Sequence, residues 1–170
     1  MVLTDVERLI LANQFEILGK LNEDPSLEEL SSHLKSGYSW IYDQSYALHV
    51  SPDFDDHDTQ IVLNILEVFE SIQVSYDKLS DEDKKKISET SIIFPGFDGN
   101  NESRFRWFAD ALYANGNYAH VKSRSNSHMP CIGMYQTMYT KWKSMSNKYD
   151  LSIKEIKQIL DYFSNKKIPD

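Results

Sequence analysis

The sequence predicts an all-α fold, a single compact domain of about six to eight helices without a substantial sheet. Three observations carry this: Ser/Thr-x-x-Glu capping signatures at three places, apolar residues recurring at spacings of three and four behind them, and no run of period-two alternation with hairpin turns.

Thr4 and Glu7 form the first capping signature. Val6, Leu9, Ile10, Ile17, Leu18 and Leu21 follow at helical spacing, and Asn22-Glu-Asp-Pro25 ends the helix. Ser26 and Glu29 form the second, with Leu27, Leu30 and Leu34 as its stripe and Gly37 as a C′ residue. Trp40 to Val50 reads as a short third helix before the Ser51-Pro52 break. The longest helix is expected from Asp55 or Asp56 to about Leu79, with Ile61, Ile65, Leu66, Phe69 and Ile72 inward and an acidic start that suits the helix dipole. The acid-dense run Asp53 to Asp58 lacks the glycine and the oxygen ligand order of a calcium loop, so it reads as an N-terminal cap. Ser80 to Glu89 reads as a short exposed helix, and Ser91 to Phe97 as the one extended piece, turned by Pro95-Gly96. Asp98 is expected to cap a helix running through Asn115 and ended by Gly116. Met134, Met138, Trp142 and Met145 mark another helix. Ser152 and Glu155 open the last, carried by Ile153, Ile156, Ile159, Leu160 and Phe163. The only candidate joint is the loop from Asn117 to Gly133, where the charge changes sign, and it reads as an excursion rather than a domain linker.

Composition narrows the function classes. One cysteine, Cys131, in 170 residues excludes an internal disulfide and fits a reducing compartment. The first residues carry no secretory pattern and no window approaches a membrane span, so a cytoplasmic protein with no membrane partner is expected. The chain contains no phosphate-cradling glycine loop, no Cys-x-x-Cys, no His-Glu-x-x-His and no Gly-x-Ser-x-Gly. No cofactor, metal or catalytic residue is therefore assigned, and the balance leans away from an enzyme.

The net charge of -8 is unevenly spread. Residues 1–110 carry 9 Lys/Arg against 22 Asp/Glu, whereas Ala111 to Tyr149 carries 5 cations and no acid. Such asymmetry points to an anionic partner or to self-complementarity. The segment interleaves cations, hydrogen-bond donors and rings. Its candidate anion- or ligand-binding residues are Tyr118, His120, Lys122, Arg124, Asn126, Ser127, His128, Tyr135 and Trp142. The bland alternative makes Tyr135, Met138 and Trp142 core, being at helical spacing, and the lysines a solvated face.

Taken in order, these pieces resemble the YfbU family of bacterial cytosolic proteins. The resemblance runs through Thr4, Arg8-Leu-Ile-Leu11, Asn13-Gln14, Gly37-Tyr38, Phe94, Gly96-Phe-Asp98, Gly116-x-Tyr118-x-His120, Asn126-Ser-His128, Tyr135-x-x-Met138-x-x-x-Trp142 and Leu151-Ser152-x-x-Glu155-Ile156. It implies a helical fold and brings no activity, substrate or catalytic residue with it.

Three functional expectations follow. The preferred one is a non-enzymatic, self-associating interaction or regulatory module, a dimer being favoured, in which the basic face near Lys141 to Lys148 meets an acidic face of the N-terminal half. The second is RNA or single-stranded DNA binding through residues 111–149, with lysines on phosphates and rings on bases. The third is a small-molecule or hydrolytic site around His120, Ser127, His128 and Cys131, a pairing of nucleophiles with imidazole bases.

Overall fold

The computed structural model describes residues 2–45, 48 and 51–164. Nine helices form among these residues: α1 (Asp5–Asn22), α2 (Pro25–Ser36), α3 (Ser39–Tyr42), α4 (Asp56–Lys78), α5 (Asp81–Lys84), α6 (Glu89–Ile92), α7 (Ser103–Ala114), α8 (Ile132–Lys143) and α9 (Ile153–Ser164). Sheet is confined to one isolated parallel bridge, Phe94 to Ser123. No helix among the described residues is long and apolar enough to cross a membrane. The chain divides into two compact units, Met1–Asp53 and Phe54–Asp170. The division falls beside the Ser51-Pro52 break and not in the 117–133 loop.

In the first unit, α1 opens with the expected box. The Thr4 N–H donates to Glu7 Oε2 at 2.8 Å, and the Glu7 N–H donates to Thr4 Oγ1 at 3.3 Å. The cap of α2 differs from expectation. Asp24, not Ser26, is the N-cap, its Oδ1 accepting from the Ser26 N–H at 3.0 Å. Pro25 explains the change, because its fixed φ and missing N–H suit the first helical position. Gly37 closes the helix with φ 73°, and a Cβ there would meet the Arg8 guanidinium at 2.5 Å. The third helix is one turn long, shorter than expected; Tyr46, Ala47, His49 and Val50 of that segment lie outside the described residues.

The two long helices of this unit meet along Ala12, Leu30 and Leu34, with Leu3, Leu11 and Phe15 packed alongside. This leaves the stripe predicted from the sequence open to solvent. Val6 is 67%, Ile17 57% and Leu21 74% exposed, and Leu9, Ile10 and Leu18 are exposed too. The helix buries the face that carries alanine and glycine (Ala12, Gly19), where two backbones can approach closely, and presents its large aliphatic face outward. Its mid-helix charges lie on the covered side: Glu16 takes Lys35 of α2 at 2.5 Å, and Arg8 reaches the end of α2.

The second unit is organised around α4, which begins within the expected Asp55–Asp56 start; Asp55 is its cap, with Oδ1 accepting from the Asp58 N–H at 2.8 Å. Val62, Ile65, Leu66, Val68, Phe69 and Ile72 are fully buried, against α7, α8, α9 and the 92–97 segment. Phe69, Phe94, Phe97 and Tyr135 form its aromatic centre, with Phe69–Phe94 centroids 4.9 Å apart and Phe94–Tyr135 centroids 5.5 Å apart. Because α4 is enclosed on several sides, three polar side chains are buried with it and staple the loops that cover it. Ser71 accepts the indole N–H of Trp142 at 2.7 Å and donates to the Lys148 carbonyl. Gln73 bonds the backbone of Ile92 and Lys122, and Ser75 accepts the Leu151 N–H at 3.0 Å.

A second expected cap is displaced. Asp98 does not start α7, which begins at Ser103 after the Glu102 cap position. Asp98 instead holds the preceding turn, accepting from the Asn100 N–H at 3.2 Å and from the Asn101 side chain. The Ser152–Glu155 box before α9 forms as the sequence predicts.

Candidate functional site

Residues 111–149 leave α7, cross the surface as a loop, enter α8 and end in a turn. Gly96 fixes where this loop lies. Its φ is +89°, and a Cβ there would sit 2.7 Å from the Arg124 carbonyl oxygen, so only glycine lets the two backbones touch. The Arg124 N–H then donates to the Phe94 carbonyl at 2.7 Å, and the Phe94 N–H to the Lys122 carbonyl at 3.0 Å.

Two side chains of the loop, His120 and Lys122, meet acids contributed by distant sequence. His120 Nε2 lies 2.6 Å from Glu70 Oε1 on α4, and Lys122 Nζ lies 2.9 Å from Glu89 Oε1 at the start of α6. Glu70 also accepts the Tyr149 hydroxyl at 3.1 Å. Partial burial and the nearby Glu70 push the Tyr149 phenol up to about 12, and burial raises that of Tyr118, which lies near Glu70 and Glu67. The later lysines stand over rings of their own unit, Lys148 at 4.5 Å from the Trp142 centroid and Lys143 at 5.8 Å from the Tyr139 centroid. The acid-free segment of the sequence is therefore not an acid-free surface.

Two of the three rings proposed to bind a ligand, Tyr135 and Trp142, are buried in the core, whereas Tyr118 is half-buried. Tyr135 is 1% exposed and donates its hydroxyl to the Gly96 carbonyl at 2.7 Å; Trp142 is 2% exposed and donates to Ser71. Neither presents a face on which a base could stack, so the core alternative describes both. Of the remaining candidates, Asn126 Oδ1 accepts from the Gly99 and His128 N–H groups at 3.0 and 2.9 Å, shaping the loop. The buried Ser127 hydroxyl donates to the Met129 carbonyl at 2.7 Å. Arg124 is exposed, and His128 is exposed with φ 58°.

The nucleophile–base reading has no matching geometry. Cys131 is buried and its thiol points to the Met129 carbonyl at 3.1 Å; burial pushes the thiol pKa up, which disfavours the thiolate. Its backbone N–H, with that of Ile132, is held by Glu102 Oε1 at 2.7 and 2.9 Å. That buried carboxylate is a cap for α8 at a positive helix end. The sequence reading missed Glu102 because the residues it binds are about thirty positions away.

The candidates also do not converge. His120 and Lys122 line a cavity of about 120 Å³ with Gln73, Val74, Asp77 and Ile92, whereas His128 and Trp142 take no part in it. A second, open depression of about 490 Å³ runs along α8 and is lined by Gly133, Gln136, Thr137, Thr140, Lys141 and Ser144. Among the described residues no group of three or more His, Cys, Asp or Glu side chains is placed to hold a metal ion.

Comparison with known proteins adds lineage and no chemistry. The UPF0304 protein MJECS11 of Methanocaldococcus jannaschii is 33% identical over 168 residues, covering 94% of this chain and 99% of that protein. It is archaeal, so relatives of this chain are not confined to bacteria. Residues 1–162 match the YfbU domain, a span that takes in both compact units. Neither description names a reaction, a ligand or a partner. On this match over nearly its whole length, with the helical fold and the ordered motifs, the chain belongs to the YfbU family.

Proposed function

We propose that this protein is a non-enzymatic, self-associating helical interaction module of the cytoplasm. One observation carries the reading: α1 turns an aliphatic face, Val6, Leu9, Ile10, Ile17, Leu18 and Leu21, outward along its whole length. Contiguous apolar surface of this kind marks a contact site. The groups that could have done chemistry support it from the other side. Cys131, Ser127, Tyr135 and Trp142 are spent on the fold, and His120 and Lys122 each meet a carboxylate of their own unit. A single buried thiol suits the reducing setting.

The reading places self-association on apolar contact, and not on the basic Lys141–Lys148 face meeting an acidic one. The two differ in salt dependence, since exposed ion pairs are screened and apolar burial is not. Mass photometry and sedimentation at low and high salt test it. A species of twice 19.8 kDa that persists or strengthens in high salt is expected. A monomer at every concentration up to about 100 times the micromolar range typical of weak complexes overturns the reading.

A further inference from the structure

The geometry points to a second copy of this chain as the occupant of the α1 face, docked antiparallel about a two-fold axis that passes between Asn13 and Gln14. The inference rests on the self-association reading and adds the partner, the direction and the register.

The register comes from the order of residues on the helix. Every exposed apolar residue of α1 has an apolar counterpart equally far from the Asn13–Gln14 midpoint: Ile10 with Ile17, Leu9 with Leu18, Val6 with Leu21. An antiparallel copy therefore brings Ile10 level with Ile17 of the partner subunit, and Val6 level with Leu21 of the partner subunit. The two exposed amides, Asn13 and Gln14, fall at the axis, where polar side chains within an apolar seam fix register. A two-fold contact must be self-complementary, and this helix is so in its own sequence. A helix from an unrelated protein would require no such symmetry.

The charges select the direction. Between Arg8 and Gly19 the exposed positions are Leu9, Ile10, Asn13, Gln14, Ile17 and Leu18, none of them charged, in a chain that is 26% charged. The exposed charges stand at the ends, Asp5 and Glu7 in the first turn and Lys20 in the last. Antiparallel pairing brings each acidic end level with the partner's lysine end and opposes the helix dipoles. Parallel pairing sets Glu7 against Glu7 and Lys20 against Lys20, with dipoles aligned.

The first unit also gains a core. Among its described residues the buried apolar ones are Ala12, Leu30, Leu34, Tyr42 and Leu48, a small set for two packed helices. Two α1–α2 hairpins joined through α1 make four helices around a shared apolar seam, the arrangement of a four-helix bundle. The helix is about 27 Å long at 1.5 Å per residue, so the seam lies at the small end of stable interfaces and a reversible dimer is expected.

Disulfide trapping on the full chain tests the register. The probes are exposed positions, and native Cys131 is buried, so it serves as an internal unreactive control. Under mild oxidation, N13C and Q14C should each cross-link to themselves. V6C alone and L21C alone should not, because the two copies of either residue would lie about 22 Å apart along the helix axis. Mixed V6C and L21C chains should cross-link to one another. A dimer by mass photometry in which V6C links to itself, or in which none of these positions links, overturns the register while self-association stands. A monomer throughout overturns both. Circular dichroism of each variant confirms that the helices are retained.

Discussion

Gln73 on α4 closes a two-bonded ring on the backbone of Lys122: its Nε2 donates to the Lys122 carbonyl at 2.9 Å and its Oε1 accepts the Lys122 N–H at 2.7 Å. The same Nε2 also donates to the Ile92 carbonyl at 3.0 Å. One buried amide thus pins two separate loops to the central helix.

Replacing Gln73 with Leu keeps the volume and strands two backbone groups, the Ile92 carbonyl and the Lys122 N–H, while the Lys122 carbonyl keeps the Phe94 N–H. Each buried unsatisfied group costs about 1–3 kcal/mol, so Q73L should lose about 2 kcal/mol or more. Urea denaturation with an unchanged slope measures this; a loss below about 0.5 kcal/mol contradicts the bonding described.

Trp142 separates hydrogen bonding from packing. W142F removes the indole N–H that reaches Ser71 and should cost about 1–3 kcal/mol, while W142A, which opens a cavity beside α4, should cost about 3–5 kcal/mol. Neither should alter nucleic-acid or anion binding, because the ring is buried; a variant that stays folded and gains or loses such binding refutes the core assignment.

Glu102 caps α8 from a distant part of the chain. E102A leaves the Cys131 and Ile132 N–H groups and the Asp98 N–H without their acceptor, so a loss of about 2–4 kcal/mol is expected. Cys131 follows α8 in this respect. Its thiol should resist Ellman's reagent in the native wild-type protein and react readily in urea, and E102A should raise the native reaction rate.

Acid should weaken the fold in a defined window. Hydrogen bonding to Lys20 and then Lys35 holds the Glu16 carboxyl at about 2, against an ordinary 4.5. The carboxyls of Glu7, Asp24, Asp98 and Glu155 are lowered as well, through Thr4, Ser26, Asn101 and Ser152 respectively. These groups bind fewer protons folded than unfolded, so their contribution is complete above about pH 4.5 and disappears as the pH falls toward 2. Melting temperature should be flat from pH 7 to 5 and then fall. Asp98 is buried, whereas Glu7, Glu16, Asp24 and Glu155 are exposed or half-buried, so the effect of any single one of these four is small; E16Q should shift the curve only slightly.

Charge on α1 should separate association from stability. I10K or I17E places a charge at an exposed position, so the monomer should keep its stability within about 0.5 kcal/mol. The dimer should be lost. A variant that unfolds along with losing the dimer would show that the first unit depends on its partner to fold.

Local chemistry was readable because it depends on neighbours in sequence. The Thr4, Asp55 and Ser152 caps and the Gly37 stop sit where sequence puts them, since a cap is made within four residues. Period alone revealed the stripes of α1 and α4 but not their fates. α4 is enclosed and α1 is not, and the apolar period by itself does not record which face a neighbour will cover. Ala12 and Gly19 decide it for α1 by allowing α2 to come close on the small-residue side.

The sequence by itself determined a helical chain, most of its caps and its family. It also marked which residues carried charge and which could act as nucleophiles or bases. Only the tertiary structure decided how these groups are used. His120 meets Glu70, Lys122 meets Glu89, Tyr135 and Trp142 turn inward, and Glu102 caps a helix thirty residues away. Electrostatics and burial act through space: a segment with no acid of its own meets Glu70 and Glu89, which the fold carries to His120 and Lys122, and an aliphatic stripe stays exposed when the close approach of a neighbour happens on the other side.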